Sequence, residues 1–204
     1  GRLILLVIDQ PNIRFGGALA IRSAVNTFID RLGPSDRAAV IGIGQGAAST
    51  PFTRDHERLK RAVSRLSGPY QPSLLSEALR IQRGFPGALD EVVVRECVGM
   101  AGPAFEACAQ EVQREALEKA MAGTVDGQQT IAVLRSLLNA LKTIDGPKTM
   151  LLVSEGFIID EQRGAVIELG AIAAASKTSI YAMKLDDQLF AQAAESSRSP
   201  MPQM

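Results

Sequence analysis

Two aliphatic runs, each followed closely by an acidic residue, constrain the fold of this chain most strongly. Leu3–Ile8 runs into Asp9, and Thr149–Val153 runs into Ser154 and Glu155. Continuous aliphatic runs of this length are typical of strands that are buried on both faces of a parallel sheet. Open α/β sheets bind their ligands beyond the carboxyl ends of the strands. The sequence therefore predicts that both carboxylates lie at the carboxyl edge of a sheet, where ligands bind.

Further strands alternate with amphipathic helices along the chain. Strands are predicted over 37–43 and 179–185, and helices over 17–32, 55–66, 73–82, 128–143 and 163–176. The short segment 50–53 is predicted to pair with the second strand as an antiparallel edge strand, since its Pro51 suits an edge. This alternation predicts an α/β fold with a doubly wound, mostly parallel, Rossmann-like sheet and helices on both faces.

The 204 residues predict a single domain with a helical insertion over about 84–123 and a polar tail over 186–204. A turn at 124–127 is predicted to separate the insertion from the next helix. The insertion contains Cys97 and Cys108, which we interpret either as two buried thiols or as a disulfide between two short helices. A disulfide would indicate export, and the lack of an initiator methionine favours an excerpt of a longer chain. We therefore expect a periplasmic or extracellular location.

The net charge is balanced, but the charge is unevenly placed. The chain carries 22 Lys and Arg against 22 Asp and Glu, which gives no electrostatic case for nucleic acid or an anionic membrane. No apolar stretch is long enough to span a bilayer. The helix predicted over 55–66 nevertheless has a basic outer face, formed by Arg54, Arg58, Lys60, Arg61 and Arg65. We interpret this face as solvated, with an anionic partner as the alternative.

Oxygen-bearing side chains near the predicted carboxyl edge indicate a metal site. Asp9 and Glu155 supply carboxylates. Asn12 supplies an amide oxygen three residues past Asp9, and Ser73 supplies a hydroxyl at the start of a predicted helix. Hard divalent cations prefer such oxygen ligands, so we predict a Mg²⁺ or Ca²⁺ site formed by these four residues. The alternative is a structural role, in which the acids accept hydrogen bonds from loop amides.

Several segments, in their order along the chain, resemble a von Willebrand factor A (VWA) domain of the bacterial VWFA-related type. They read ILLVID, DRAAVIGIG, FTRDHERLKRAVSRL, SLLSEAL and KTMLLVSEG, and the resemblance runs from Arg2 to about Leu185. It implies a cation at the metal-ion-dependent adhesion site, and a protein ligand whose acidic side chain completes the metal coordination. It also implies one further helix and strand beyond residues 186–204, without which the edge of the last strand is uncovered.

The adhesion-site motifs that the resemblance implies are incomplete in this chain. In the first motif, Asp-x-Ser-x-Ser, the aspartate is kept as Asp9, but Pro11 and Ile13 stand at the serine positions. Ser73 matches the threonine of the second loop, and Glu155 replaces the aspartate of the Ser-Asp-Gly loop. Pro and Ile offer no side-chain oxygen, so we expect a weakened site. The extra methylene of Glu155 moves its carboxylate outward, which calcium tolerates better than magnesium.

The function predicted from these features is a non-enzymatic, adhesion-type module that binds a protein ligand. The alternative is an enzyme on a Rossmann-like sheet, or a receiver-type domain that accepts a phosphoryl group on Asp9 with Lys184 nearby. The Gly-x-Gly-x-x-Gly motif of dinucleotide sites does not follow the first strand. A third interpretation is a degenerate domain in which Asp9 and Glu155 only satisfy loop amides.

Overall fold

A four-stranded, all-parallel sheet with helices on both faces forms the centre of the molecule. The computed structural model describes residues 1–14, 16–69, 88–156 and 163–184. The elements, in chain order, are β1 (Leu3–Asp9), a 3-10 turn (Gln10–Asn12), α1 (Gly17–Asp30), β2 (Arg37–Ile43), α2 (His56–Val63), α3 (Ala88–Glu96), α4 (Pro103–Leu141), β3 (Lys148–Ser154), α5 (Arg163–Ala175) and β4 (Thr178–Lys184). The strand order is β2-β1-β3-β4, which confirms the predicted doubly wound, Rossmann-like α/β fold.

Two apolar layers sandwich β1, because its side chains alternate between the faces of the sheet. On one face, Ile4, Leu6 and Ile8 pack against α1 and α2. On the other face, Leu5 and Val7 pack against α4 and α5. All seven residues of β1 are buried, as expected for the central strand of a parallel sheet.

The two edges of the sheet differ in how they are covered. Residues 48–53 lie along the outer side of β2, but they form only isolated antiparallel bridges, Ala38 with Thr53 and Ile41 with Ser49. The predicted antiparallel edge strand is therefore not formed as a continuous strand. At the opposite edge, β4 pairs with β3 and with no other strand in the described part of the chain.

A helical hairpin extends from the sheet between α2 and β3. Here α4 is one continuous 39-residue helix, so the predicted turn at 124–127 is wrong. From Ile131 onward, α4 packs its apolar side chains on the sheet. The free energy of this packing outweighs the cost of about 1 kcal/mol for continuing the helix through Gly127. A disulfide between Cys97 and Cys108 joins the end of α3 to the start of α4, and decides between the two interpretations of these cysteines.

Two elements of the sequence analysis lie outside the described residues: the helix predicted over 73–82 and the tail over 186–204. Among the helices that the structure describes, including the long α4, none is apolar enough over a sufficient length to cross a membrane.

Candidate functional site

Asp9 is the centre of a buried hydrogen-bond network at the carboxyl end of β1. Its side chain is inaccessible to solvent. Thr130 donates its hydroxyl hydrogen to Oδ1 at 3.0 Å, and Ser154 donates to Oδ2 at 2.8 Å. The Asn12 amide nitrogen lies 3.1 and 3.0 Å from the two oxygens. The carboxylate thus joins β1, the 3-10 turn, α4 and β3.

Strand register explains why Asp9 meets Ser154 and not the neighbouring Glu155. Ile8 pairs with Val153 across the parallel ladder. Side chains at matching register positions face the same side of a sheet, and successive side chains alternate. Asp9 and Ser154 therefore both face α4, whereas Glu155 faces the opposite side, toward the start of α1.

Burial dominates the electrostatics of Asp9. Removal from water raises the pKa of its carboxyl group above the ordinary aspartate value, and the hydrogen bonds from Ser154, Asn12 and Thr130 oppose this only in part. The negative charge of Asp126, one helical turn before Thr130, raises the pKa of Asp9 further. Partial burial also raises the pKa of Asp126 itself. Asp9 therefore holds its proton more tightly than an exposed aspartate.

Glu155 forms a second polar cluster with Arg14. The glutamate is 4% exposed. Its Oε1 accepts a hydrogen bond from the Arg14 backbone N–H at 3.0 Å, and its Oε2 forms a salt bridge with the Arg14 guanidinium. The carboxylate also lies against Gly17, where an added Cβ would come within 2.8 Å of Oε1. Glycine at this position lets the first turn of α1 approach the carboxylate closely.

Further contacts interlock the loops around these clusters. Here the rim means the residues at the carboxyl edge of the sheet: Asp9–Arg14, Gly44–Gly46 and Ser154–Gly156. Gln10 donates to the Ile43 carbonyl at 3.3 Å and accepts from the Ser67 backbone N–H at 2.8 Å. Gly68 packs so closely that an added Cβ would lie 2.4 Å from the Arg14 carbonyl oxygen. The rim is therefore held by contacts from several separate segments.

The predicted metal ligands are only partly brought together. Asp9 and Asn12 are in contact, but Asn12 directs its amide nitrogen, not its oxygen, at the carboxylate. Glu155 is engaged with Arg14, and Ser73 lies outside the described residues. Within the described ranges, no cluster of three or more His, Cys, Asp or Glu side chains is placed to hold a metal ion. The Mg²⁺ or Ca²⁺ site stays a prediction.

Two residues near Asp9 were not predicted as part of the site: Thr130, and Asp126, for which a turn was predicted. A signal was present, because Thr130 continues the apolar stripe of α4 by one turn before Leu134 and Leu138. A polar residue in line with a buried stripe is expected to find a buried partner. The helix predicted over 128–143 already contained Thr130, whereas the turn predicted at 124–127 kept Asp126 out of that helix.

Removing the Thr130 hydroxyl should destabilise the fold measurably. Thr130→Val keeps the side-chain shape but removes one donor from a buried carboxylate, so we expect a loss of about 2 kcal/mol in the free energy of unfolding. Urea denaturation measures this loss. Thr124→Val on the same helix is the matched control, because the Thr124 hydroxyl bonds only the Ala120 carbonyl of its own helix. Equal stability of both variants would show that the hydrogen bond from Thr130 to Asp9 contributes nothing to stability.

Comparisons with known proteins do not place the chain in a family. No protein-family model matches it, and no curated protein sequence matches it. The fold class is therefore the level at which the molecule is defined: a Rossmann-like α/β domain with a disulfide-linked helical hairpin.

Proposed function

We propose that this chain is a non-enzymatic, VWA-like module that binds a protein ligand through its rim. The contact between Asp9 and Ser154, at 2.8 Å, carries the proposal. It unites the ends of β1 and β3, which are the two strand ends where the VWA resemblance places its acidic motifs. The strand order, with β1 between β2 and β3, supports the same interpretation.

The interlocked rim suits recognition. Its loops are held by the Asp9 network, by the pair of Arg14 and Glu155, and by Gln10. A surface that is already ordered loses little conformational entropy when a partner binds. Next to it, in the first turn of α1, the apolar side chain of Leu19 is 74% exposed. Leu19 therefore offers an accessible position beside the rim at which contact with a partner can be probed.

The donors around the two carboxylates do not suit a divalent cation as they are arranged. Both oxygens of Asp9 accept N–H or O–H hydrogen bonds, and the Arg14 guanidinium already neutralises Glu155. A cation would compete with these donors, so we propose an affinity no tighter than about 1 mM. Protein recognition at this rim is then independent of metal.

The phosphoacceptor alternative needs Asp9 to attack an external phosphoryl group. Asp9 has no solvent-accessible surface, and its oxygens face Asn12, Thr130 and Ser154. No observation favours this alternative, so we do not adopt it as a second candidate.

Site-specific photocrosslinking tests the proposal. A photoreactive residue is installed at Leu19 or at the exposed Gln45 of the rim, and the protein is irradiated in an extract of its source cells. Lys142 is the control position, because it is exposed at the end of α4, near the start of β3 and away from the carboxyl ends of the strands. We expect the same protein adduct from Leu19 and from Gln45 and none from Lys142, with unchanged yield in excess EDTA.

Three results would contradict the proposal. The first is the absence of a rim adduct, and the second is an identical adduct from Lys142. The third is an adduct that disappears in EDTA and returns with millimolar calcium, which would reinstate a metal-dependent adhesion site. An excess of unlabelled protein should compete with any specific adduct.

A further inference from the structure

A cleft lined by arginines lies beside the β2 edge, apart from the rim. Its volume is about 410 Å³, and it is bounded by residues 48–50 on one side and by α2 on the other. Small-molecule sites in proteins have volumes of this order, about 300 to 1,000 Å³. The name basic cleft is used here for the space lined by Ser49, Thr50, Asp55, Arg58, Arg61 and Arg65.

Helical spacing directs the three arginines into the same space. Arg58, Arg61 and Arg65 follow each other at intervals of three and four residues, which places them on one side of α2 and of the turn that follows it. All three belong to the basic face that the sequence analysis interpreted as solvated. The structure adds a facing wall, residues 48–50, which is held to β2 by backbone hydrogen bonds. Charges inside such a concavity act more strongly on a ligand than charges on a flat face.

The positive charge of the basic cleft is largely uncompensated by the described residues. Its single carboxylate, Asp55, is 3.9 Å from Arg61 and also accepts the Arg58 backbone N–H as the cap of α2. Arg58 and Arg65 form no ion pair with a described residue. Unlike these two arginines, Lys60 does not line the cleft and forms a salt bridge with Asp30 at 2.6 Å. Two guanidinium groups therefore face the cleft without a partner carboxylate in the described part of the chain.

The wall opposite the arginines adds hydroxyl donors. Thr50 accepts a hydrogen bond from the Val40 backbone N–H at 2.9 Å, so its own hydroxyl hydrogen is available to donate. Ser49 is exposed beside it. Apart from two alanines, Ala48 and Ala62, the lining is polar, and it includes no aromatic ring among the described residues. A base or other ring would find no stacking surface there.

We propose that the basic cleft binds a small, compact anion that carries phosphoryl groups. Guanidinium forks match phosphate oxygens in paired hydrogen bonds, and hydroxyl donors complete such a site. The concave shape favours a small ligand over an acidic protein segment, which would need a wider contact surface. This site is distinct from the rim, and it extends the function beyond recognition of a protein.

Isothermal titration with inorganic pyrophosphate at low ionic strength tests the site. We expect saturable binding that weakens steeply as salt is added. Arg58→Gln and Arg65→Gln should each weaken binding about tenfold, since each removes one charged hydrogen-bond partner. Arg31→Gln is the matched control, because Arg31 is an exposed arginine at the end of α1 that does not line the cleft. Arg31, Arg58 and Arg65 are all exposed, so these variants should fold normally.

Four outcomes would overturn the proposal. The first is that pyrophosphate does not bind at millimolar concentration, and the second is that Arg31→Gln weakens binding as much as Arg58→Gln does. The third is that citrate, a compact carboxylate, binds more tightly than pyrophosphate. The fourth is that a hexaglutamate peptide binds more tightly than pyrophosphate, which would make the cleft a site for acidic protein segments. These outcomes leave the crosslinking experiment at the rim unaffected, so failure of either proposal can be recognised separately.

Discussion

Replacing Asp9 by alanine is expected to cost about 3 to 5 kcal/mol of the free energy of unfolding, because several buried donors lose their acceptor at once. Those donors are the Asn12 amide and the hydroxyls of Thr130 and Ser154. Asp9→Asn keeps the volume and one acceptor oxygen, so we expect the smaller loss of about 1 to 2 kcal/mol. Urea denaturation of the three proteins measures both values.

The pH dependence of the stability difference between the wild type and Asp9→Asn separates the effect of charge from that of packing. Burial raises the pKa of Asp9 in the folded state above its ordinary value of 3.8. The folded protein then binds this proton more tightly than the unfolded chain, so the stabilising contribution is complete below pH 3.8 and is lost as the pH rises through the raised pKa. The advantage of the wild type over Asp9→Asn should therefore shrink as the pH is raised.

Asp36 acts in the opposite sense, because hydrogen bonds from Arg2 lower the pKa of its carboxyl group. The contribution of Asp36 to stability is lost as the pH falls, but it is the same in the wild type and in Asp9→Asn and cancels in their difference. If the advantage of the wild type over Asp9→Asn grows with pH, the donors stabilise the charged carboxylate more than burial penalises it. If Asp9→Ala is as stable as the wild type, the network has no structural role.

Reduction of the disulfide between Cys97 and Cys108 is expected to release α3 from α4. The bond closes a loop of about a dozen residues, and breaking it should cost about 3 kcal/mol through the entropy of the open chain. The remaining apolar contact between the helices is small in the described part of the chain: Val92 and Ala116 are its buried members, and the partly buried Leu89 and Val112 pack against them. Hydrogen exchange measures the result as lost protection of the α3 amides.

The sheet supplies the internal control for that experiment. Amides of β1 lie in a separate core, so their protection should change little on reduction. The double variant Cys97→Ala/Cys108→Ala should reproduce the loss in α3 and should not respond to reductant. If the α3 amides stay protected after reduction, apolar packing alone holds the hairpin. If β1 loses protection equally, the hairpin and the sheet unfold as one unit.

The strands could be predicted because their signal is local. The aliphatic runs that became β1 and β3 are typical of strands buried on both faces of a parallel sheet, and this pattern is read within a few residues of the chain. The same runs place Asp9 and Glu155 at the carboxyl edge. The antiparallel strand over 50–53 failed because pairing at an edge depends on a few backbone hydrogen bonds, which here form only isolated bridges.

By itself, the sequence determined the fold class, the two strands that are buried on both faces and the acids at their ends, because burial patterns act over a few residues. Only the tertiary structure decided what those acids contact. Thr130 reaches Asp9 from 121 positions away along the chain. The alternation of side chains at the end of β3 directs Ser154 toward Asp9 and Glu155 toward Arg14. Such pairings depend on strand register and on helix docking, which are set by packing between distant segments and by no local pattern.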